Sequence, residues 1–282
     1  MPRLTLSTFT QLCRRTPGFF DGVGPLTIVR VPGRLDVMGG IADYSGSTVL
    51  EGTIERGAFL ALQRRRDTRL RLHSHGLHRE GLCPRVEWDL GGFRPRGRLL
   101  SYAQARRHCS RDPQAAWAGY LAGGFFVLQK EGVRPAFSGG ANLLLASEVP
   151  MGAGVASSAA IEVAAMYAAN CAFGLGLPGL KLARLCQIVE NRVVGAPCGI
   201  MDQVTCALGE TGKLLALRCQ PHDVLGLHEI PAGYRVWGIN SNIKHAVGGS
   251  KYRRARTAAF MGLRIISGLP GATDRAPPSG PF

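Results

Sequence analysis

Apolar and polar positions alternate with a period of two, or gather into short β-branched blocks, at several places along the chain, and each reads as a strand. Leu26-Thr-Ile-Val-Arg-Val31 is such a run, and Pro32-Gly33 is expected to end it in a turn. Ser47–Leu50 and Ala58–Leu62 read as two further strands, and Arg69-Leu-Arg-Leu-His73 alternates cleanly. Ala141–Leu145, Lys213–Arg218 and Tyr234–Ile239 complete the predicted strands. Elsewhere the period lengthens to that of a helix. Gln114–Lys130 places Trp117, Leu121, Phe125 and Leu128 at helical spacing. Ser157–Ala172 is a helix of small residues, Leu180–Val194 repeats the helical period, and Ser250–Ile266 is a basic helix. The mixture, without internal repeat, predicts an α+β fold. After Leu269 the pattern stops, and the proline-rich residues 270–282 are expected to be a disordered tail.

Composition narrows the class. The 282 residues are 45% apolar and 19% charged, which fits a folded core and excludes a disordered chain or a coiled coil. The 38 glycines imply many tight turns and close backbone approaches. A net charge of +15, carried mostly by arginine, attracts anions of any kind. The arginines are scattered and not interleaved with aromatics, so no nucleic-acid platform is read from them. No two of the eight cysteines lie within three residues of each other, which excludes a CxxC zinc or redox pair. The apolar stretch Ala159–Leu177 is interrupted by Glu162 and Asn170 and fails as a membrane span. With no signal-peptide-like start, a reduced, cytoplasmic setting is expected.

Three segments carry chemistry. In Pro150-Met-Gly-Ala-Gly-Val-Ala-Ser-Ser-Ala-Ala160, Gly152 and Gly154 let the backbone pass close to a ligand, and Ser157 and Ser158 open a helix whose free N–H groups favour a phosphate. A close-packed turn of small residues is the bland alternative. No Walker loop competes, because Gly209-Glu-Thr-Gly-Lys213 has the wrong spacing and is followed by Leu214. In Glu190-Asn-Arg-Val-Val-Gly-Ala-Pro-Cys-Gly-Ile-Met-Asp-Gln203, a carboxylate ends a helix and a second follows the turn, so the two could share a pocket. Pro32-Gly-Arg-Leu-Asp-Val-Met-Gly-Gly-Ile-Ala-Asp-Tyr44 sets one arginine and two aspartates among apolar residues, as scaffold or as site. His73-Ser-His-Gly-Leu-His78 reads as a solvated strand end, and Cys198 as a packed thiol.

In this order the three segments resemble the GHMP kinase superfamily and, within it, the galactokinase group. Trp117-Ala-Gly-Tyr-Leu-Ala-Gly123 and Asn240-Ser-Asn-Ile-Lys-His-Ala-Val-Gly-Gly-Ser-Lys-Tyr-Arg-Arg254 share the likeness. The resemblance implies a sugar 1-kinase that uses ATP and Mg²⁺. Asp202 would be the base or orienting carboxylate for an anomeric hydroxyl, with Arg34 beside it. Ser158 and Glu190 would ligate Mg²⁺. Pro150, Gly152, Ala153, Gly154, Ser157 and Ser158 would wrap the ATP phosphates, and Trp117 would flank the adenine. Asp43, Tyr44, Gly199, Asp202 and Tyr252 would line the sugar site. The partners implied are a small sugar and ATP, with no nucleic acid and no membrane.

The implied architecture is an N-terminal ribosomal-protein-like α+β domain with a left-handed βαβ crossover over residues 1–220. The start of a ferredoxin-like domain would follow over 221–269, incomplete because the chain ends before the superfamily's third glycine-rich motif. A catalytically inactive sugar- or nucleotide-binding relative is therefore the second reading. The first motif also departs from galactokinases. Where they carry Glu-His, this chain has Gly40-Ile41, which removes the partners of a C6 hydroxyl. The segment Gly33–Gly46 is similar to that of L-arabinokinases, so L-arabinose is favoured over D-galactose.

Overall fold

The computed structural model describes residues 3–40, 43, 46–134, 137, 139–242 and 250–269. Its organising element is β2 (Thr48–Arg64), one continuous strand where the hydropathy pattern predicts two. The polar middle of β2 stays in the ladder because β1 (Val23–Met38) runs antiparallel beside it. Pro32-Gly33 does not end β1, as expected, but produces a register shift, and pairing resumes at Arg34 with Thr53. A proline cannot donate to the ladder, so a bulge absorbs it. The other edge of β2 is divided. β5 (Ala141–Ser147) pairs with its C-terminal half and β6 (Lys213–Arg218) with its N-terminal end.

β3 (Arg69–His75) lies parallel to β5, and β4 (Arg85–Asp89) pairs antiparallel with β3. β7 (Asp223–Glu229) pairs antiparallel with β6 and completes a seven-stranded mixed sheet. It carries that sheet past residue 220, the expected end of the first domain. Tyr234–Ile239, predicted to be a strand, makes no ladder pairing among the described residues. Tyr234, Trp237 and Ile239 are exposed there. Alternation alone does not make a strand without an edge to pair with.

The helices are α1 (Leu6–Arg14), α2 (Tyr102–Cys109), α3 (Gly119–Lys130), α4 (Ser157–Phe173), α5 (Gly179–Ile188), α6 (Met201–Leu208) and α7 (Ser250–Ser267). The main core packs Leu60, Leu62, Leu143 and Leu145 of the sheet with Leu121 and Phe125 of α3 and Val163 and Met166 of α4. α4 is buried nearly all round, which its alanine-rich sequence permits. Phe9 and Cys13 of α1 cover Phe59, Ala61, Leu144 and Ala146 in a second core. A smaller core joins Val49, Leu215 and Leu217 to Ile200, Met201 and Val204, and it seats α6 beside the N-terminal end of β2. Among the described residues no helix is long and apolar enough to cross a membrane. Residues 270–282 lie outside them.

Candidate active site

The bulge in β1 brings the backbone against the loop that precedes α4. A Cβ on Gly33 would lie 2.8 Å from the Val155 carbonyl oxygen, so only glycine permits the approach. The next residue, Arg34, donates its backbone N–H to that same carbonyl at 3.2 Å. Its side chain is buried and makes three further bonds. Nη1 donates to the Gly154 carbonyl at 2.7 Å, and Nε and Nη2 both donate to Asp202 Oδ1, at 3.0 and 2.6 Å. One guanidinium thus ties the glycine loop to the first turn of α6, where a carboxylate is also favoured by the helix dipole. Burial works against the Arg34 charge, but Asp202 and then Glu51 outweigh it and raise its pKa further.

The loop itself is built from left-handed residues. Gly152 and Gly154 both have φ of 71°, and Ala156, the residue before α4, has φ of 59°. Backbone that returns to the left-handed region at alternate residues forms a concavity of N–H groups suited to an anion. Nothing lies within 4 Å of a Cβ placed on Gly154. Pro150, Ala153, Ser157 and Ser158 are half-buried around it.

Glu190 lies on a π-helical segment, Val189–Val194, that continues α5. Such segments recur at functional sites. The backbone N–H groups of Gly195 and Ala196 both donate to the Glu190 carbonyl, and the Asn191 amide clamps Cys198 through its N–H and its carbonyl. The Gly-Ala-Pro turn is held rigidly by these bonds. The Glu190 carboxylate accepts from Gln203 Nε2 at 2.7 Å and from the Cys198 thiol at 3.4 Å. Burial pushes Glu190 up to about 7, opposed by a bond from Ser158 and reinforced by the Asp202 charge. Burial also holds Cys198 well above its usual value, so it is a packed thiol and not a nucleophile.

Asp43 is buried against the same turn. A Cβ on Gly199 would lie 1.6 Å from Asp43 Oδ2, so glycine is the residue that admits this carboxylate. Arg34, Asp43, Glu190, Gly199, Asp202 and the 150–158 loop therefore form one site. Trp117 stands apart from it. Its indole is buried in the main core and donates to the Cys83 carbonyl at 2.8 Å. Cys83 lines a cleft of about 300 Å³ with Trp88, His108, Arg111 and others, none of them in the Arg34 cluster. Tyr44 and Ile41 lie outside the described residues, as does the Tyr252 side chain.

Two buried carboxyls escaped the sequence reading. Glu51 on β2 is fully buried, with Oε2 3.2 Å from Arg34 Nε. Glu162 on α4 is 1% exposed, and neither of its oxygens accepts a hydrogen bond. A carboxylate inside an otherwise apolar strand or helix was the available signal. Burial and then Glu190 raise Glu162 well above the usual carboxylate range.

The residues present fit a divalent cation beside the phosphate loop. Glu190 and Ser158 offer hard oxygen donors, and the orphaned Glu162 oxygens mark buried carboxyl capacity next to them. Among the described residues no group of three or more His, Cys, Asp or Glu could hold a metal by itself. Magnesium characteristically takes only one or two carboxylates and completes its shell with water and substrate phosphates.

Residues 121–210 match the sequence model of the GHMP kinases N terminal domain. Over these residues the chain is similar to the N-terminal domain of the GHMP kinases. An L-arabinokinase from Arabidopsis thaliana is 44% identical over an alignment of 274 residues that covers 89% of this chain and 26% of that protein. A galactokinase from Chloroflexus aggregans is 33% identical over 247 residues, covering 88% of this chain and 57% of that protein. Among solved structures, Lactococcus lactis galactokinase complexed with galactose superposes with a TM-score of 0.72. It is 24% identical, over 91% of this chain and 62% of that one. Methanococcus jannaschii mevalonate kinase follows with a TM-score of 0.54 at 17% identity, over 72% of this chain and 56% of that one. The chain thus has the mixed α+β fold of these kinases and spans between about a quarter and three-fifths of its relatives' length.

Proposed function

We propose that this chain carries the catalytic half of an ATP-dependent sugar 1-kinase. The observation that supports it most is the single buried guanidinium of Arg34, bonded at once to the Gly154 carbonyl of the anion-binding loop and to Asp202. Phosphoryl transfer needs a nucleophilic hydroxyl and a phosphate chain held in line with their charge neutralised, and little covalent chemistry from the protein. Asp202 is the residue that orients the anomeric hydroxyl and accepts its proton. Arg34 fixes that carboxylate through two hydrogen bonds and offsets the charge that builds up between the two substrates. The loop N–H groups and Ser157 hold phosphate oxygens. Asp43, packed on Gly199, presents its carboxylate to sugar hydroxyls, with Tyr44 and Tyr252 as further sugar contacts. Glu190 and Ser158 would hold Mg²⁺, which when bound neutralises phosphate charge.

The sugar class we favour is a pentopyranose with the hydroxyl pattern of galactose, L-arabinose in particular. The 44% identity to an L-arabinokinase supports this, and so does the backbone at position 40. Gly40 has φ of 51°, and a Cβ there would lie 3.5 Å from Asp36 Oδ2. A glutamate in its place would be strained and would face a second carboxylate. Glycine at this position, in place of the glutamate of galactokinases, takes away one partner that a C6 hydroxyl would have.

The test incubates the purified chain with MgATP and either L-arabinose or D-galactose and measures sugar 1-phosphate. Faster turnover of L-arabinose supports the reading, and a preference for galactose overturns the pentose assignment. Nucleotide and sugar binding with no phosphorylated product identifies an inactive binding relative instead.

A further inference from the structure

Glu51 belongs to no motif, yet it is buried as completely as any leucine in the protein. It lies across the β1–β2 ladder from Asp36, two residues along the strand from Arg34, so all three side chains share one face. Val49, Ile200, Val204 and Leu215 form the apolar core at this end of β2. Arg34 Nε is 3.2 Å from Glu51 Oε2, but its hydrogen bond goes to Asp202, and neither Glu51 oxygen receives a hydrogen bond. An ionised carboxylate in such a place would be expensive. A single guanidinium cannot neutralise two of them.

We propose that Glu51 is a positioning residue for the Arg34–Asp202 pair: it sits behind the guanidinium as a neutral carboxyl and leaves the arginine's charge to Asp202. This rests on the reading of Arg34 and Asp202 as the catalytic pair. The direction of titration agrees with the geometry. Burial pushes Glu51 up to about 9, Arg34 opposes the shift, and Asp36 and Asp202 add to it. The other groups that face it are anionic or neutral. Cys206 of α6, which interacts with Arg34 and Asp202, is held well above its usual value by burial and then by Asp202. Cys219, at the end of β6, is raised by burial, with Asp43 and Glu51 adding to the shift. When Glu51 ionises at alkaline pH, it draws the guanidinium away from Asp202, and the pair loosens.

The experiment is a side-chain carboxyl ¹³C NMR titration of the full chain, wild type and Glu51→Gln, with thermal unfolding followed over the same pH range. The Glu51 signal, identified by its loss in the variant, should titrate above neutrality, several units higher than an ordinary glutamate. The Asp202 signal should show a second inflection in that alkaline range, absent from Glu51→Gln. The wild-type Tm should fall between about pH 5 and pH 9 more than that of the variant, because the folded state binds a proton the unfolded state has lost. A Glu51 midpoint in the ordinary carboxylate range, or an alkaline Asp202 inflection that survives in Glu51→Gln, overturns the proposal. If Glu51→Gln does not fold, Asp36→Asn should lower the Glu51 midpoint, and an unmoved midpoint also overturns it. Absence of sugar phosphorylation with these titrations as expected would sink the kinase reading and leave the Glu51 assignment standing.

Discussion

At one end of β2, Phe59, Leu60, Ala61 and Leu62 are buried against hydrocarbon from both sides. At the other end, Glu51 is buried to the same degree beside Arg34, with Asp202 completing the cluster. One strand, in one sheet, therefore carries two kinds of interior. The apolar end holds the sheet between α1 and the α3–α4 layer and gains free energy from area removed from water. The charged end replaces apolar packing with an ion pair and a buried carboxyl, and replacing such a cluster with hydrocarbon is often neutral or stabilising. A fold keeps an arrangement of that sort where chemistry requires it. The contrast locates the site independently of any motif.

The largest effect expected is on chemistry at the charged end. Asp202→Asn keeps the shape of the side chain but cannot accept a proton, and turnover should fall by about 10²–10⁴-fold with nucleotide affinity little changed. Near-normal turnover in an active preparation would remove Asp202 from the role of base. Next come stability effects, one at each end. Arg34→Met leaves Asp202 without its cation and should cost about 3–5 kcal/mol at neutral pH. Leu60→Ala should cost about 2–5 kcal/mol through lost contacts and a cavity. The two overlap in size but differ in pH dependence. Removing Arg34 takes away the cation that opposes the upward shift of Glu51, so the loss grows as pH rises through about 9. The Leu60→Ala loss stays constant. Denaturant unfolding at two pH values separates them, and equal pH slopes would show that the two interiors do not differ as described.

Gly199→Ala should have a smaller, local effect. Its methyl would collide with Asp43 Oδ2 at 1.6 Å, so the aspartate or the turn has to move. Overpacking of this kind costs about 1–3 kcal/mol. Sugar affinity should fall further than nucleotide affinity, as isothermal titration with each ligand would report. Equal losses for both would detach Asp43 from the sugar.

The two ends of β2 were unequally legible in the sequence. Arg34, Glu190, Asp202 and the 150–158 loop were found because polar and glycine residues stand out where a strand or helix begins or ends. Glu51 and Glu162 were missed because each sits singly inside an apolar element, Val49-Leu-Glu-Gly and Ala160-Ile-Glu-Val, where a lone charge reads as a solvated face. The elements themselves followed the same division. α3, α4, β3, β5 and β6 were predicted from strong periodicity, within a few residues of their observed ends. β4, α2, α6 and β7 were not, because five to eight residues give too little pattern to separate a short element from a loop. The break inside β2 was an artefact of its polar middle, where Glu55 and Arg56 are exposed.

The smallest effect concerns β3, on the side of the sheet away from the site. His73 was read as part of a solvated strand end, yet its Nδ1 is buried without a hydrogen-bond partner and its ring meets the Phe19 edge at 5.7 Å. Burial, with the nearby Arg85 charge, pushes its pKa down to about 4. The folded state therefore holds His73 neutral at a pH where the unfolded chain has already bound a proton. Unfolded protein binds the extra proton between about pH 6.5 and pH 4, so stability falls as pH drops through that window. The residue remains partly solvated, and after screening the contribution is no more than about 1 kcal/mol. His73→Gln should flatten the acid limb of a stability-against-pH curve by that amount and leave the neutral region unchanged. Because Glu51 loses stability in the opposite direction, as pH rises, a double variant with Glu51→Gln should show the two slopes changing independently. Interdependent slopes would mean that the two ends of the sheet are electrostatically coupled, contrary to the division drawn from β2.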